Sequence, residues 1–146
     1  MRLLLDTHVW LWMQSDPTRL STQAIGLVEN PDNELVLSAA SSWEITIKYE
    51  AGRLRLPVPP HEYVPDRLRT SGVRTLAVEH AHALHVASLP LHHRDPIDRL
   101  LVAQAQLVGL PILSADPQFS PYEVEVIWAA QELPPGAQKR PRRRKS

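Results

Sequence analysis

The sequence opens with MRLLLDTHVWLW, residues 1–12, in which one acidic residue separates two apolar blocks. The run from Arg2 to Leu5 predicts a short buried strand, which Asp6 and Thr7 bring to an end. A carboxylate in such surroundings is costly to desolvate unless it has a partner. Asp6 therefore closes a turn, caps a helix or forms one wall of a metal site.

The composition is that of one globular domain. A chain of 146 residues with 43% apolar content can bury a core without disulfides. Its apolar stretches are shorter than the roughly 18 residues that cross a membrane, and the N-terminal run, interrupted at Asp6, lacks the pattern of a secretory signal. The absence of cysteine excludes disulfides, thiolate metal sites and cysteine nucleophiles, and it favours a cytoplasmic location.

The formal net charge of zero conceals two oppositely charged parts. Six of the 16 basic residues lie in the last eight positions, KRPRRRKS, so residues 1–138 carry ten basic and 16 acidic residues. We predict a domain over residues 1–130 and a disordered Pro/Arg-rich basic tail over residues 131–146. The acidic body is typical of a protein that binds cations or a basic partner.

Strands and helices are predicted to alternate along the chain. The predicted strands cover residues 2–5, 34–38, 73–78, 111–114 and 124–128, and the predicted helices cover residues 8–14, 22–30, 39–52, 79–89 and 95–109. The proline-rich residues 53–72 predict a loop and a short helix. This alternation indicates an α/β fold with a mostly parallel sheet of about five short strands, covered on both faces. Ligands bind such sheets beyond the carboxyl ends of the strands.

Four acidic residues follow predicted strands or lie in the helices that come after them: Asp6, Glu44, Asp98 and Asp116. Two like charges about 4 Å apart repel by about 4 kcal/mol at an effective dielectric near 20. A raised pKa or a bound cation relieves that repulsion. Hard oxygen ligands without cysteine favour Mg²⁺ or Mn²⁺ over Zn²⁺. A site of this kind activates water and polarises phosphate, which is the chemistry of phosphodiester hydrolysis.

Each of these acids also has a structural explanation. Asp6 and Asp116 stand at turn signals. Glu44 precedes Lys48 by four residues, the favourable order for an ion pair on a helix surface. Asp98 lies in the first turn of a helix, where a negative charge interacts well with the helix dipole. The metal site is thus predicted from their joint placement.

Other conspicuous residues are interpreted as structural. The histidines of the helix predicted over residues 79–89 are taken as surface or packing residues: His80, His82 and His85. The segment HHR, residues 92–94, favours a solvated loop over a phosphate contact. Three tryptophans are interpreted as core or interface anchors: Trp10, Trp12 and Trp43. The tail KRPRRRKS either binds nucleic acid through charge or is a solvated terminus.

The chain resembles PIN-domain proteins, and within them the VapC-type toxins of toxin–antitoxin pairs. Four stretches carry this resemblance, in this order and spacing: LLLDTHVWLW, LSAASSWEITIKYEAGRL, HHRDPIDRLLVAQAQ and ILSADPQF. The resemblance covers residues 2–128 and implies a three-layer α/β/α sandwich that cleaves RNA with Mg²⁺ or Mn²⁺. It also implies dimerisation, and inhibition by a small cognate antitoxin that inserts a segment near the active site.

The resemblance assigns roles to individual residues. The family's catalytic, metal-binding acids carry over onto Asp6, Glu44, Asp98 and Asp116. Supporting roles fall on Thr7, beside the first acid, on Ser114, where threonine is more usual, and on two residues of the third motif, Asp95 as a helix cap and Arg99 as a contact to phosphate or carboxylate.

We therefore predict a Mg²⁺-dependent endoribonuclease whose products carry a 5′-phosphate and a 3′-hydroxyl. A catalytically silent RNA-binding PIN module and a metal-dependent phosphatase stay open as alternatives. A phosphatase would ordinarily place its nucleophilic Asp in a DxD-like setting, whereas Thr7 and His8 follow Asp6. A receiver-like regulatory domain needs an Asp after the third strand and a Lys after the fifth, and neither TLAVEH nor the residues after VEVIW provide one.

Overall fold

The described part of the chain, residues 1–132 and residue 134, contains one five-stranded sheet in this computed structural model. Its strands are β1 (Arg2–Leu5), β2 (Glu34–Ser38), β3 (Arg74–Leu76), β4 (Ile112–Ser114) and β5 (Val126–Trp128). The α-helices of the same residues are α1 (Thr7–Ser15), α2 (Thr22–Glu29), α3 (Ala39–Glu50), α4 (Pro60–Ser71), α5 (His80–His85) and α6 (Pro96–Val108). The predicted tail over residues 131–146 lies almost entirely outside the described residues.

The strand order places the start of the chain at the centre of the sheet. All neighbouring strands are parallel, in the order β3-β2-β1-β4-β5. The chain proceeds outward from β1 to β3 and then returns to the other side of β1 as β4. The boundary between β1 and β4 is therefore the topological switch point, where open α/β sheets bind ligands. Asp6 follows β1 and Ser114 ends β4 at this boundary.

The central strand connects two hydrophobic cores because successive side chains point to opposite faces of a strand. Leu3 and Leu5 pack in one core with Trp10 of α1. Leu4 packs in the other core with Leu101 of α6. All five side chains are completely buried, and each contributes on the order of 1.5–3 kcal/mol. The predicted α/β/α sandwich is confirmed.

Local sequence signals determine the bounds of α6. The side chain of Asp95 caps its first turn, and Pro96 occupies the first helical position, where a missing N–H is harmless. Gly109 ends the helix with φ 75°, in the left-handed region that glycine enters without strain. The helix predicted over residues 95–109 is therefore confirmed.

The main differences from the predicted elements lie between β2 and α6. Helix α4 has 12 residues and contains Pro65, whereas the sequence predicted a loop and a short helix. Tyr63 and Val64 are buried, and this burial offsets the hydrogen bond that Pro65 cannot make. The predicted helix over residues 79–89 stops at His85 and continues as a 3₁₀ turn, Val86–Ser88. Among the described helices, none has the length and apolarity needed to span a bilayer.

Candidate functional site

The hydroxyl of Ser114 links the side chain of the first predicted acid, Asp6, to the backbone of the last one, Asp116. Asp6 caps α1, its Oδ1 accepting the Thr7 N–H at 2.7 Å. Its Oδ2 accepts the hydroxyl of Ser114 at 2.8 Å. The same hydroxyl oxygen accepts the backbone N–H of Asp116 at 2.9 Å. Because β1 and β4 pair directly, Ser114 fixes Asp6 and the Asp116 backbone relative to each other.

The N-terminal turn of α6 positions Asp98. Oδ1 of Asp95 accepts the N–H groups of Ile97 at 2.8 Å and of Asp98 at 3.1 Å. The Asp98 Oδ2 atom lies 2.8 Å from Nε2 of His93, and that nitrogen lies 3.6 Å from Asp116 Oδ2. His93, Asp98 and Asp116 each offer one metal-ligating atom, and these atoms lie within 4.8 Å of one another.

Glu44 of α3 has one paired and one unpaired carboxylate oxygen. Its Oε2 lies 2.8 Å from Nζ of Lys48, so the predicted i,i+4 ion pair is present. Glu44 is only 6% exposed, however, and the pair is therefore not an ordinary surface ion pair. Within residues 1–132, Oε1 of Glu44 is buried without a hydrogen-bond partner. A buried oxygen of this kind is costly unless a cation or a donor reaches it.

Burial of the Asp6 carboxylate disfavours its charged form. Burial, with a smaller contribution from the charge of Glu44, raises the pKa of Asp6 to about 6. The hydrogen bond from Ser114 acts in the opposite direction because it stabilises the charged form. The charge of Glu44, a residue of α3, therefore contributes to the raised pKa of Asp6, which follows β1.

Asp98 is affected more strongly. Burial, as the largest cause, and the charges of four other acids together raise the pKa of Asp98 to about 8; these acids are Asp6, Asp95, Glu44 and Asp116. The other three predicted catalytic acids therefore all lie close enough to Asp98 to disfavour its charged form. A divalent cation would relieve this repulsion and favour the ionised form of Asp98.

The other two predicted supporting residues, Thr7 and Arg99, contact a neighbouring serine and backbone carbonyls, respectively. The Thr7 hydroxyl donates to Ser41 Oγ at 2.8 Å, joining α1 to α3, and only its N–H reaches Asp6. The guanidinium of Arg99 donates to the carbonyls of Val86 at 3.3 Å and Leu89 at 3.1 Å. These contacts attach the segment before α6 to the helix and give Arg99 a structural role.

His93 is the site residue that the sequence interpretation missed. The solvated-loop interpretation of residues 92–94 is right for the exposed His92 and Arg94 but wrong for His93, which is 8% exposed. The ring is buried by Phe119, from a segment distant in sequence, so local polarity did not reveal it. The local signal was the position of His93 two residues before the helix cap Asp95, whose backbone N–H donates to its Nδ1 at 3.4 Å.

The remaining structural interpretations have mixed outcomes. His82 is buried and its Nδ1 accepts the Glu79 N–H at 3.1 Å, so its packing role is confirmed. Trp10 is completely buried, as predicted for a core residue. Trp43 is 61% exposed, so it does not belong to the core of the chain.

The residues of the site fit a hard divalent cation. The unpaired Oε1 of Glu44 and the carboxylates of Asp6 and Asp98 provide oxygen atoms, the donors that Mg²⁺ and Mn²⁺ prefer. Their mutual repulsion is the electrostatic condition under which a cation binds well. Glu44, Asp98 and Asp116 would hold such an ion together with Asp6.

Comparison with known proteins identifies a family and two relatives. The family described as PIN domain matches residues 3–125. Ribonuclease VapC22 of Mycobacterium tuberculosis (strain ATCC 25618 / H37Rv) is 32% identical over 115 residues, which cover 78% of this chain and 86% of that protein. Ribonuclease VapC16 of the same strain is 45% identical over 71 residues, 46% of this chain. The matched segment spans 50% of VapC16.

Solved structures share the fold at low sequence identity. VapBC2 from Rickettsia felis, bound to a DNA fragment from its promoter, has a TM-score of 0.65 at 11% identity and covers 88% of this chain and 99% of that chain. FitAB bound to the IR36 DNA fragment has a TM-score of 0.57 at 18% identity, and the match covers 86% of this chain and 93% of that chain. VapBC-1 from nontypeable Haemophilus influenzae has a TM-score of 0.57 at 17% identity, covering 87% and 97%.

Proposed function

Because this chain belongs to the PIN-domain family, we propose that it is a metal-dependent endoribonuclease that hydrolyses phosphodiester bonds of RNA. One observation supports this proposal: four separate segments contribute carboxylates, buried in Asp6, Glu44 and Asp98 and half-buried in Asp116, and the other three lie close enough to Asp98 to raise its pKa. The two curated relatives are named ribonucleases, which supports the same activity.

The cofactor we propose is Mg²⁺, with Mn²⁺ as a substitute. Such an ion supplies positive charge that polarises a phosphate and lowers the pKa of a water molecule. The hydroxyl of Ser114 orients the carboxylate of Asp6 by donating to its Oδ2. The cap at Asp95 fixes the first turn of α6, which carries Asp98. Lys48 occupies one oxygen of Glu44 and leaves Oε1 to accept a ligand.

The reaction we propose is attack of water on phosphorus with cleavage of the bond to the 3′ oxygen. The new P–O bond leaves a phosphate on the 5′ end of one product, and the departing oxygen takes a proton to become a 3′-hydroxyl. A nuclease that used the ribose 2′-hydroxyl instead would leave a cyclic phosphate. The end groups of the product therefore distinguish the two routes.

We further propose that the chain is the toxin of a toxin–antitoxin pair, acting in the cytoplasm as a homodimer. The similar solved structures include a toxin–antitoxin complex from Klebsiella pneumoniae, with a TM-score of 0.58 at 17% identity. A basic antitoxin segment would complement the acidic body, in which residues 1–138 hold 16 acidic and ten basic residues. The antitoxin is tested by asking whether the protein encoded in an adjacent small reading frame inhibits RNA cleavage. The homodimer is tested by light scattering.

The test of the activity is RNA cleavage by the purified protein with Mg²⁺ or with EDTA. We expect cleavage with Mg²⁺ only, and its loss in Asp98→Asn and Asp6→Asn. Asp66→Asn is a matched control because Asp66 lies on α4 and pairs with the exposed Arg69. Full activity of either site variant would disprove the assignment of the acids. Binding of RNA without cleavage would favour the silent module, and hydrolysis of p-nitrophenyl phosphate alone would favour the phosphatase.

A further inference from the structure

His93 is held rigidly although it lies in the loop before α6. Its N–H donates to the hydroxyl of Tyr122 at 2.9 Å. Its ring packs edge-on against Phe119, with centroids 6.3 Å apart and an interplanar angle of 83°. Two residues beyond β4 therefore fix the backbone and the ring of a residue that precedes α6. Such support is what a side chain needs to place another group accurately.

The neighbours of the ring determine which nitrogen carries the hydrogen. Nδ1 of His93 faces the backbone N–H of Asp95 across a long hydrogen bond of 3.4 Å and must act as an acceptor. The hydrogen of the neutral ring therefore lies on Nε2. This Nε2–H points at Oδ2 of Asp98, 2.8 Å away. A metal bound at Nε2 would require the opposite tautomer and would set two hydrogens against each other at Nδ1.

We propose that His93 is a positioning residue of the candidate metal site: its Nε2–H fixes Oδ2 of Asp98, so that Oδ1 is presented to the divalent cation. This inference rests on the proposed function, since it assumes that Asp98 is a ligand. A hydrogen-bonding neighbour that orients a metal ligand changes metal affinity by about 10- to 100-fold when it is removed. His93 acts through Asp98 and does not touch the ion.

His93→Gln and His93→Asn both introduce an amide N–H donor, but they place it at different distances from the backbone. The amide nitrogen of Gln in His93→Gln reaches about as far from the backbone as Nε2 does, so it preserves the donor to Asp98. The shorter amide in His93→Asn reaches only the position of Nδ1. His93→Leu fills similar space without any donor. All three variants alter the same buried ring, which makes them controls for one another.

The experiment is calorimetric titration of the metal-free, full-length chain with Mn²⁺. We expect His93→Gln to bind within about threefold of the wild type, and His93→Asn and His93→Leu to bind about 10- to 100-fold more weakly. We expect the thermal midpoints of the metal-free His93→Gln and His93→Asn variants to agree. Pulsed EPR of the Mn²⁺ complex should show no directly coordinated nitrogen.

Two results would overturn the inference. One is wild-type affinity in both His93→Asn and His93→Leu, and the other is nitrogen coupling that identifies His93 as a ligand. RNA cleavage by the wild type is measured separately, so the two hypotheses fail in different ways. A chain that binds Mn²⁺ with the expected ranking but leaves RNA intact refutes only the nuclease. A chain that cleaves RNA and binds Mn²⁺ equally well in every His93 variant refutes only the role of His93.

Discussion

The hydroxyl of Ser114 joins Asp6 and Asp116, donating to Oδ2 of Asp6 at 2.8 Å and accepting the N–H of Asp116 at 2.9 Å. Ser114 is completely buried, so water cannot replace either hydrogen bond. Two acids separated by most of the chain are thus linked through one oxygen atom. Ser114 therefore fixes the side chain of Asp6, which follows β1, relative to the backbone of Asp116, which follows β4.

Ser114→Ala should therefore weaken the site without unfolding it. A hydrogen bond to a charged group contributes about 1.5–3 kcal/mol, so we expect RNA cleavage to fall about 10- to 100-fold. Because the hydroxyl lowers the pKa of Asp6, its loss should also shift the rise of activity to higher pH. The measurement is the cleavage rate between pH 5 and pH 9.

Ser114→Thr is the matched control for this prediction. It retains the hydroxyl, and the resemblance to PIN-domain proteins makes threonine the more usual residue here. We expect activity within a few-fold of the wild type and an unshifted pH profile. An equal loss in the alanine and threonine variants would mean that packing at Ser114, and not its hydrogen bond, supports the site.

The metal-free protein should lose stability as the pH rises. Burial raises the pKa of Asp98 to about 8 and that of Asp6 to about 6, so the folded chain binds protons more tightly than the unfolded chain does. The free energy of unfolding therefore falls from about pH 4 up to pH 8, where Asp98 ionises. One pKa unit corresponds to about 1.4 kcal/mol, so the total loss amounts to several kcal/mol. Urea unfolding in EDTA measures it.

Asp98→Asn provides the internal comparison. An amide cannot ionise, so most of the pH dependence above pH 6 should disappear in this variant. Mg²⁺ should raise the stability of the wild type at pH 8 and leave that of Asp98→Asn nearly unchanged. A wild-type protein that becomes more stable from pH 5 to pH 8 in EDTA would contradict the described electrostatics.

Arg99→Leu should lower the stability of the fold and leave metal binding unchanged. The guanidinium holds the carbonyls of Val86 and Leu89, and the substitution leaves both without their donor. We expect the free energy of unfolding to fall by about 2–4 kcal/mol, as measured by urea unfolding. Mn²⁺ affinity at low temperature should be unchanged. Weaker Mn²⁺ binding at unchanged stability would instead favour the contact to carboxylate that the resemblance suggests.

The elements predicted best are those whose signals are local. The apolar run before Asp6 corresponds to β1, and the sequence from Asp95 to Gly109 contains both the cap and the end of α6. The expectation that residues after the strand ends lie at one edge of the sheet agrees with Asp6 and Asp116, which Ser114 links. The catalytic role of the four acids stays a prediction.

The features that sequence did not reveal depend on distant contacts. His93 resembled a solvated residue because Phe119 and Tyr122, which bury it, come from beyond β4. Pro65 suggested an interruption, but burial of Tyr63 and Val64 allows α4 to continue. The pair of Glu44 with Lys48 was expected on the surface, and only the packed fold shows that the other oxygen of Glu44 is enclosed.

The strand order also determines when the site can form during synthesis. Asp6 and Glu44 leave the ribosome early, but β1 remains unpaired on one side until β4 follows. A nascent chain that ends before residue 112 lacks both β4 and Asp116, so it has no complete set of carboxylates. The full set of carboxylates can therefore assemble only after β4 and Asp116 have been synthesised.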